Sequence, residues 1–154
     1  MLGQAVEIPS ISMDPSYAKD IRRMADLAAH YLRDLGAEAS VIETAGYPVV
    51  SGGWNTGTHH PTVTVYNHMD VQPAQEPEWR HPPFAFRKEN GLYHGRGATD
   101  DKGPALTALF AAKYAVEQGV PLNIRFLWEL EEENGSPSFA GGLQDRTRIP
   151  RPDS

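Results

Sequence analysis

The chain has 154 residues, of which 40% are hydrophobic and 22% charged, and its formal net charge is −6. This composition is typical of a packed globular chain and excludes a low-complexity one, and the acidic balance argues against a nucleic-acid ligand, which needs a basic face. The absence of cysteine excludes disulfides and thiolate metal sites, so any metal must be bound by His, Asp or Glu. The N-terminus carries no leader pattern and no apolar run approaches the ~20 residues that span a bilayer, so we expect a cytoplasmic protein without a membrane segment.

Apolar residues at helical spacing predict two helices. Asp14 and Pro15 have the pattern of an N-cap followed by proline in the first turn, and Gly36 is placed to end this first helix. The alanine- and leucine-rich residues 102–118 predict a second helix, with Gly119 at its end.

Strands are predicted between and after these helices. Residues 62–66 are β-branched and aromatic and predict a buried strand, and residues 122–130 predict another apolar strand. Ala39, Val41 and Val49-Val50 predict short strands that are broken by Gly46 and by Gly52-Gly53. The proline-rich residues 71–90 are expected to form a loop. Strands and helices that alternate with short connections predict an α/β fold, a sheet flanked by helices.

The two longer strands end in side chains that can bind metals. His68 follows the first, and the glutamates 131–133 follow the second. Ligands of open α/β sheets bind beyond the carboxyl ends of the strands, which predicts a site here. His68 and Asp70 point the same way on an extended chain, so that the imidazole could bind a metal while Asp70 orients it. Taken alone, a surface His–Asp pair and a solvated run of charges remain open alternatives.

Asp100 and Asp101 follow a glycine-rich turn and begin the second helix. They can be ligands, or they can cap the helix and interact with its dipole, and the two interpretations are compatible. A two-carboxylate glycosidase is conceivable but would leave His68 without a role, and no nucleophile elbow or phosphate-binding loop is present. Four other histidines have no spaced partner and are not expected to be ligands: His30, His59, His60 and His81.

Several motifs occur together in the order and at the separations of a known family. His68 and Asp100 are 32 residues apart, as are Asp100 and Glu132. On these motifs the chain resembles the di-zinc aminoacylase, dipeptidase and carboxypeptidase-G family, which includes acetylornithine deacetylase and succinyl-diaminopimelate desuccinylase. The residues after Asp100 and after Asp70 are more similar to those of the dipeptidase branch. The matching stretches are His68-Met69-Asp70-Val71-Gln72-Pro73, Trp79 with Pro83-Phe84, Gly95-Arg96-Gly97-Ala98-Thr99-Asp100-Asp101-Lys102-Gly103 and Glu132-Glu133-Asn134-Gly135-Ser136, and residues 8–12 also fit.

The resemblance implies a metal centre and a role for each motif residue. The fold would be part of a zinc-peptidase-like catalytic domain, with a mixed sheet flanked by helices. Two Zn²⁺ ions are implied, and Co²⁺ or Mn²⁺ could replace them. His68 would bind one ion, Glu133 the other, and Asp100 both, with a cis bond after Asp100. Asp70 would orient His68, and Glu132 would be the general base.

The resemblance also implies what the full-length protein does. It would be an enzyme that hydrolyses a peptide or N-acyl amide bond, with a small peptide or an N-acyl amino acid as substrate. We expect residues 1–154 to be the N-terminal part of the catalytic domain, without the lid and dimerisation domain and without the C-terminal part of the catalytic domain. Residues 151–154 would lead into the strand that carries the next zinc ligand. The resemblance is also compatible with a homodimer of the parent protein. The alternative is a non-catalytic or degenerate metal-binding fragment that lacks the remaining ligands.

Overall fold

Four helices and six strands are present in residues 1–144, the part of the chain that the computed structural model describes. The predicted approach to a further ligand strand at residues 151–154 lies outside this part. The helices are α1 (Leu2–Val6), α2 (Ala18–Asp34), α3 (Lys102–Glu117) and α4 (Phe139–Gln144); the strands are β1 (Glu38–Ile42), β2 (Val49–Trp54), β3 (Thr62–His68), β4 (Arg87–Glu89), β5 (Leu92–His94) and β6 (Asn123–Glu129); and two 3₁₀ turns span Pro15–Tyr17 and Glu132–Asn134.

The main sheet has four strands in the order β1-β2-β6-β3. β1 and β2 are antiparallel, β2 and β6 are antiparallel, and β6 and β3 are parallel. Helix α2 packs against β1 and β2, and α3 packs against β3. The predicted fold class, a mixed sheet flanked by helices, is therefore confirmed. None of the helices in residues 1–144 combines the length and apolar character that a bilayer crossing requires.

The two predicted helices are confirmed, although the chain after Asp14 first forms the 3₁₀ turn Pro15–Tyr17 and α2 itself begins at Ala18. The Asp14 side chain accepts a hydrogen bond from the amide of Ser16 at 2.9 Å, which satisfies one free donor before α2. Gly36 and Gly119 follow α2 and α3 with φ of 87° and 69°, a conformation that glycine adopts without a steric penalty.

Two apolar surfaces form the core. Helix α2 buries one face, and β6 contributes Phe126 and Trp128, both fully buried. These two side chains are two residues apart on the strand, so they project from the same face, and their ring centroids are 5.4 Å apart. A buried core of this kind holds β6, and with it the end of β6, in a fixed position. The buried side chains of α2 are Ile21, Met24, Ala25, Ala28, Ala29, Tyr31 and Leu32.

The predicted interruption of a strand at Gly52 and Gly53 is wrong, because β2 continues through both to Trp54. A Cβ atom on Gly52 would lie 2.3 Å from the carbonyl oxygen of Glu38, and one on Gly53 would lie 1.9 Å from that of Ile124. The glycines therefore permit the close approach of both neighbouring strands instead of breaking β2.

The prediction that residues 62–66 are a buried strand is wrong in its burial. β3 forms as predicted but lies at the edge of the described sheet, and most of its residues are exposed. Val63 and Tyr66 are both 45% exposed. β-Branched and aromatic residues favour strands in either position, so their composition does not distinguish an edge strand from a central one.

The end of the predicted proline-rich loop, residues 71–90, belongs to an element that the sequence pattern did not indicate. Residues 87–94 form the hairpin β4–β5, with Arg87 opposite His94 and Glu89 opposite Leu92. Its strands have three residues each, which is too short for a period-2 pattern to be recognised.

Candidate active site

The two strands whose ends carry metal-capable side chains are neighbours. β3 and β6 run parallel, with His68 opposite Glu129, and the amide of Met69 donates to the carbonyl of Glu129 at 2.8 Å. The carboxyl ends of parallel neighbours lie side by side. The border of the sheet that the carboxyl ends of β3 and β6 form is called the sheet edge below, as distinct from an edge strand. His68 and the turn Glu132–Asn134, which follows β6, therefore meet at that edge.

The imidazole of His68 is at the centre of the cluster. Its Nε2 lies 3.1 Å from Oδ1 of Asp100 and 3.7 Å from Oε2 of Glu132. His68, Glu132 and Glu133 each offer a ligand atom within 4.8 Å of the others, the one group of three metal-capable side chains found in residues 1–144. With Asp70 on the other ring nitrogen, the structure brings all five predicted site residues together.

Asp70 is fully buried and has different partners for its two carboxylate oxygens. Its Oδ1 faces Nδ1 of His68 at 3.3 Å and has no hydrogen-bond partner within the described residues. Its Oδ2 accepts hydrogen bonds from Oγ of Ser12 at 2.6 Å and from the amide of Glu133 at 3.0 Å. A carboxylate on Nδ1 leaves Nε2 directed at the other carboxylates, which is the orientation that a ligating imidazole needs.

Asp101 contacts the main chain of the same histidine. Its Oδ2 accepts hydrogen bonds from the amide of His68 at 3.2 Å and from Nδ2 of Asn67 at 2.8 Å. Asp101 occupies the N-cap position of α3, but its side chain makes no capping hydrogen bond, so the helix-cap interpretation is wrong for this residue. The bond from Asp100 to Asp101 is cis, as the resemblance implied. The sequence did not indicate the role of Asp101, because acidic residues at helix starts are usually caps.

The three consecutive glutamates lie in different environments. Glu131 is buried, and its carboxylate accepts hydrogen bonds from the amides of Tyr47 at 3.1 Å and Ser138 at 2.6 Å. Glu132 and Glu133 are partly exposed and belong to the cluster around His68. The interpretation of a solvated charge run is therefore wrong for Glu131, which anchors the turn that presents the other two.

Burial and neighbouring charges change the pKa of two groups in the cluster. Burial lowers the pKa of His68, but the adjacent Asp70 carboxylate and the charges of Glu132 and Asp101 outweigh burial and raise it to about 9. Burial raises the pKa of Glu133 most strongly, and nearby carboxylates add to the effect. The rise at His68 indicates an excess of negative charge around the imidazole, which a bound cation would offset.

The donor atoms at this edge fit a zinc ion. One imidazole nitrogen and several carboxylate oxygens converge without a thiolate, a set that Zn²⁺, Co²⁺ and Mn²⁺ accept. Asp100 approaches Nε2 of His68 more closely than Glu132 does, whereas Glu132 completes the group of three. The resemblance implies that Asp100 is a metal ligand and Glu132 the general base.

A cavity of about 780 Å³ lies elsewhere, lined by residues 76–96 of the proline-rich loop and the β4–β5 hairpin. Its lining contains none of the five predicted site residues. His81 is part of this lining, and its Nε2 lies 3.6 Å from Oε2 of Glu89, a partner that the sequence did not indicate. The side chains of this cavity do not form a group of three metal donors, so the sheet edge is the candidate site.

Comparison with known families agrees with this geometry. The family model of peptidase family M20/M25/M40 matches residues 64–152, more than half of the chain. The chain therefore belongs to this family of metallopeptidases. The resemblance to its dipeptidase branch, which the sequence motifs indicated, is confirmed.

Individual relatives give the same result. The chain is 34% identical to the Beta-Ala-His dipeptidase of Rattus norvegicus over an alignment of 146 positions, gaps included, which covers 86% of this chain and 30% of the relative. It is 36% identical to the Cys-Gly metallodipeptidase of Schizosaccharomyces pombe over an alignment of 162 positions, gaps included, which covers 96% of this chain and 33% of the relative. An M20 family metallo-carboxypeptidase from Sulfolobus solfataricus superposes with a TM-score of 0.85 at 33% identity, covering 95% of this chain and 33% of that structure. The chain thus spans about a third of the length of the relatives it matches.

Proposed function

We propose that the full-length protein hydrolyses the peptide bond of a dipeptide or a related N-acyl amide bond, with metal ions bound at the edge of the sheet. The observation that carries this proposal is the convergence of His68, Glu132 and Glu133 within 4.8 Å. Relatives named as dipeptidases support a small peptide as the substrate.

In this proposal His68, Asp100 and Glu133 would hold the metal ions. Two bound Zn²⁺ ions would polarise the scissile carbonyl and lower the pKa of a water molecule. The protein's contribution is orientation, since Asp70 holds the imidazole of His68 at Nδ1 and Asp101 holds its main chain. A fixed ligand geometry of this kind raises metal affinity.

Glu132 is the general base of the proposal. Its side chain is 42% exposed, so water can reach the carboxylate, and Oε2 is within 3.7 Å of Nε2 of His68. As a carboxylate it accepts a proton from the attacking water and then donates that proton to the leaving amine. This route needs no protein nucleophile.

We further propose that residues 1–154 form the N-terminal part of the catalytic domain, and that other parts of the full-length protein supply the remaining metal ligands and the lid and dimerisation domain. The match to about a third of each relative supports this arrangement. The cytoplasmic location and the homodimer stay predictions from the sequence.

The general-base assignment is tested by the substitution Glu132→Gln in the full-length protein. Glutamine keeps the size of the side chain but cannot accept the proton, so kcat should fall by about 10²- to 10⁴-fold. The matched control is Glu117→Gln on the exposed side of α3, which should keep wild-type kcat. The assay measures amine release from Beta-Ala-His, Cys-Gly and an N-acyl amino acid, with zinc content determined in parallel. Wild-type turnover in Glu132→Gln with zinc retained would exclude this residue as the base.

The metal assignment is tested separately, by zinc content. His68→Asn should lower the bound zinc per chain, whereas His59→Asn, at an exposed loop position, should leave it unchanged. Equal zinc content in both variants would remove His68 from the ligand set. A wild-type protein that binds zinc but cleaves none of the substrates would favour the alternative of a non-catalytic metal-binding protein.

A further inference from the structure

Residues 8–12 run beside the His68–Asp70 motif, although nearly sixty positions separate them in the chain. Ile11 pairs with Val71 in a parallel bridge, and the amide of Val71 donates to the carbonyl of Ser10 at 2.9 Å. The hydroxyl of Ser10 donates to the carbonyl of Met69 at 2.7 Å. The segment is therefore attached to the main chain on both sides of Asp70.

Ser12, the last residue of this segment, contacts the Asp70 side chain. Its Oγ donates to Oδ2 at 2.6 Å, and both residues are buried, with exposed fractions of 3% for Ser12 and 0% for Asp70. A hydrogen bond from a hydroxyl to a buried carboxylate is charge-assisted and restricts the rotation of the carboxylate. Because Ser12 and the amide of Glu133 both occupy Oδ2, Oδ1 is left facing Nδ1 of His68.

Lys102 holds the other end of the segment. Its side chain is fully buried, and Nζ donates to the carbonyls of Ala5 and Ile8, both at 2.8 Å. Lys102 directly follows Asp101, whose carboxylate accepts the hydrogen bond of the His68 amide. The segment thus connects the two motifs that orient His68, one through Lys102 and one through Ser12.

We infer that Ser12 is a positioning residue of the metal site, which acts through Asp70 to hold the imidazole of His68 in its ligating orientation. The inference rests on the proposed function, because it assigns an effect on metal binding. Loss of the Ser12 hydroxyl frees Oδ2 on one side, so that the carboxylate can turn and Oδ1 can leave Nδ1 of His68. The result is a less ordered ligand and a weaker metal site.

The experiment compares Ser12→Ala with two serine variants in the full-length protein. Ser10→Ala removes an equally buried hydrogen bond of the same segment, made to a main-chain carbonyl and not to Asp70. Ser40→Ala, at an exposed position of β1, is the neutral control. Zinc affinity is measured by competition with a chromophoric chelator, the visible absorption of the Co²⁺-loaded protein reports ligand geometry, and the melting temperature of the metal-free protein reports stability.

Ser12→Ala should weaken zinc binding by about 10-fold, at the lower end of the range for outer partners of metal ligands, and should change the Co²⁺ spectrum. Ser10→Ala should lower the metal-free melting temperature by a similar amount but weaken zinc binding by less than about threefold on the same reasoning. Equal zinc affinities for wild type, Ser12→Ala and Ser40→Ala would overturn the inference while leaving the proposed function intact. Equal losses of affinity in Ser10→Ala and Ser12→Ala would also overturn it, as a purely structural effect. Absence of zinc binding by the wild type would instead refute the proposed function, and the inference with it.

Discussion

Replacement of Lys102 by methionine is predicted to destabilise the fold although methionine fits the same space. The side chain of Lys102 is fully buried, and its two hydrogen bonds join α3 to the carbonyls of Ala5 and Ile8. Methionine has a similarly unbranched, flexible stem. The substitution therefore tests the contribution of the two hydrogen bonds more than that of packing.

The expected magnitude is a balance of two effects. Each carbonyl keeps a second donor, the amide of Ile8 for Ala5 and the amide of Ser10 for Ile8. The loss is therefore that of the two hydrogen bonds from the amine, about 1.5–3 kcal/mol each. Burial lowers the pKa of Lys102 to about 7, against the opposite influence of Asp70, so desolvation of the amine itself offsets part of that loss. We expect Lys102→Met to reduce the free energy of unfolding by about 2–3 kcal/mol.

The assay is urea denaturation of the metal-free full-length protein, followed by the fluorescence of tryptophan, since Trp128 is fully buried. The matched control is Lys113→Met on the same helix, where Lys113 forms a surface ion pair with Glu117 at 3.0 Å. That pair should contribute less than about 1 kcal/mol. If Lys102→Met proved as stable as Lys113→Met, the hydrogen bonds of Lys102 could not be what stabilises the N-terminal segment.

Three further predictions concern the sheet, a buried phenol and the metal. Gly53→Ala would place a Cβ 1.9 Å from the carbonyl oxygen of Ile124, so we expect the free energy of unfolding, measured by urea denaturation, to fall by about 3 kcal/mol or more. The control is Gly141→Ala, where the added Cβ has no atom within 4 Å. Equal stability of the two variants would contradict the close approach of β2 and β6. Burial raises the pKa of Tyr31 from 10.0 to about 12, so its contribution to stability is complete below pH 10 and is lost as pH rises towards 12. Tyr31→Phe should therefore flatten the fall of the melting temperature between pH 10 and 12. An unchanged slope would show that ionisation of Tyr31 does not cause this fall. Removal of bound zinc by a chelator should lower the melting temperature, and adding Zn²⁺ back should restore it, because a ligand that binds only the folded state stabilises that state. A melting temperature that is the same with and without zinc would argue against a site at the sheet edge.

Local patterns were sufficient for the elements whose signals lie within one stretch of chain. The Asp14 cap, the helix that follows and the glycine at its end are all encoded by neighbouring residues, and the structure has each of them. The same patterns were insufficient for β2 and β3. The role of Gly52 depends on the distance to Glu38 across the sheet, and the exposure of β3 depends on which strands surround it. Neither quantity is a property of the residues nearby in the chain.

The sequence alone determined which side chains converge at the candidate site. The motifs around His68, Asp100 and Glu132 stand 32 residues apart in the chain, and parallel strand ends place such residues at one edge of a sheet. Only the tertiary structure decided what holds them in position. Ser12 is 58 residues from Asp70, the carboxylate of Asp101 is 33 residues from the amide it binds, and Lys102 is 94 residues from Ile8. A buried serine, aspartate or lysine has no pattern that identifies its partner, since the hydrogen bond that satisfies it is chosen by the packing of distant segments.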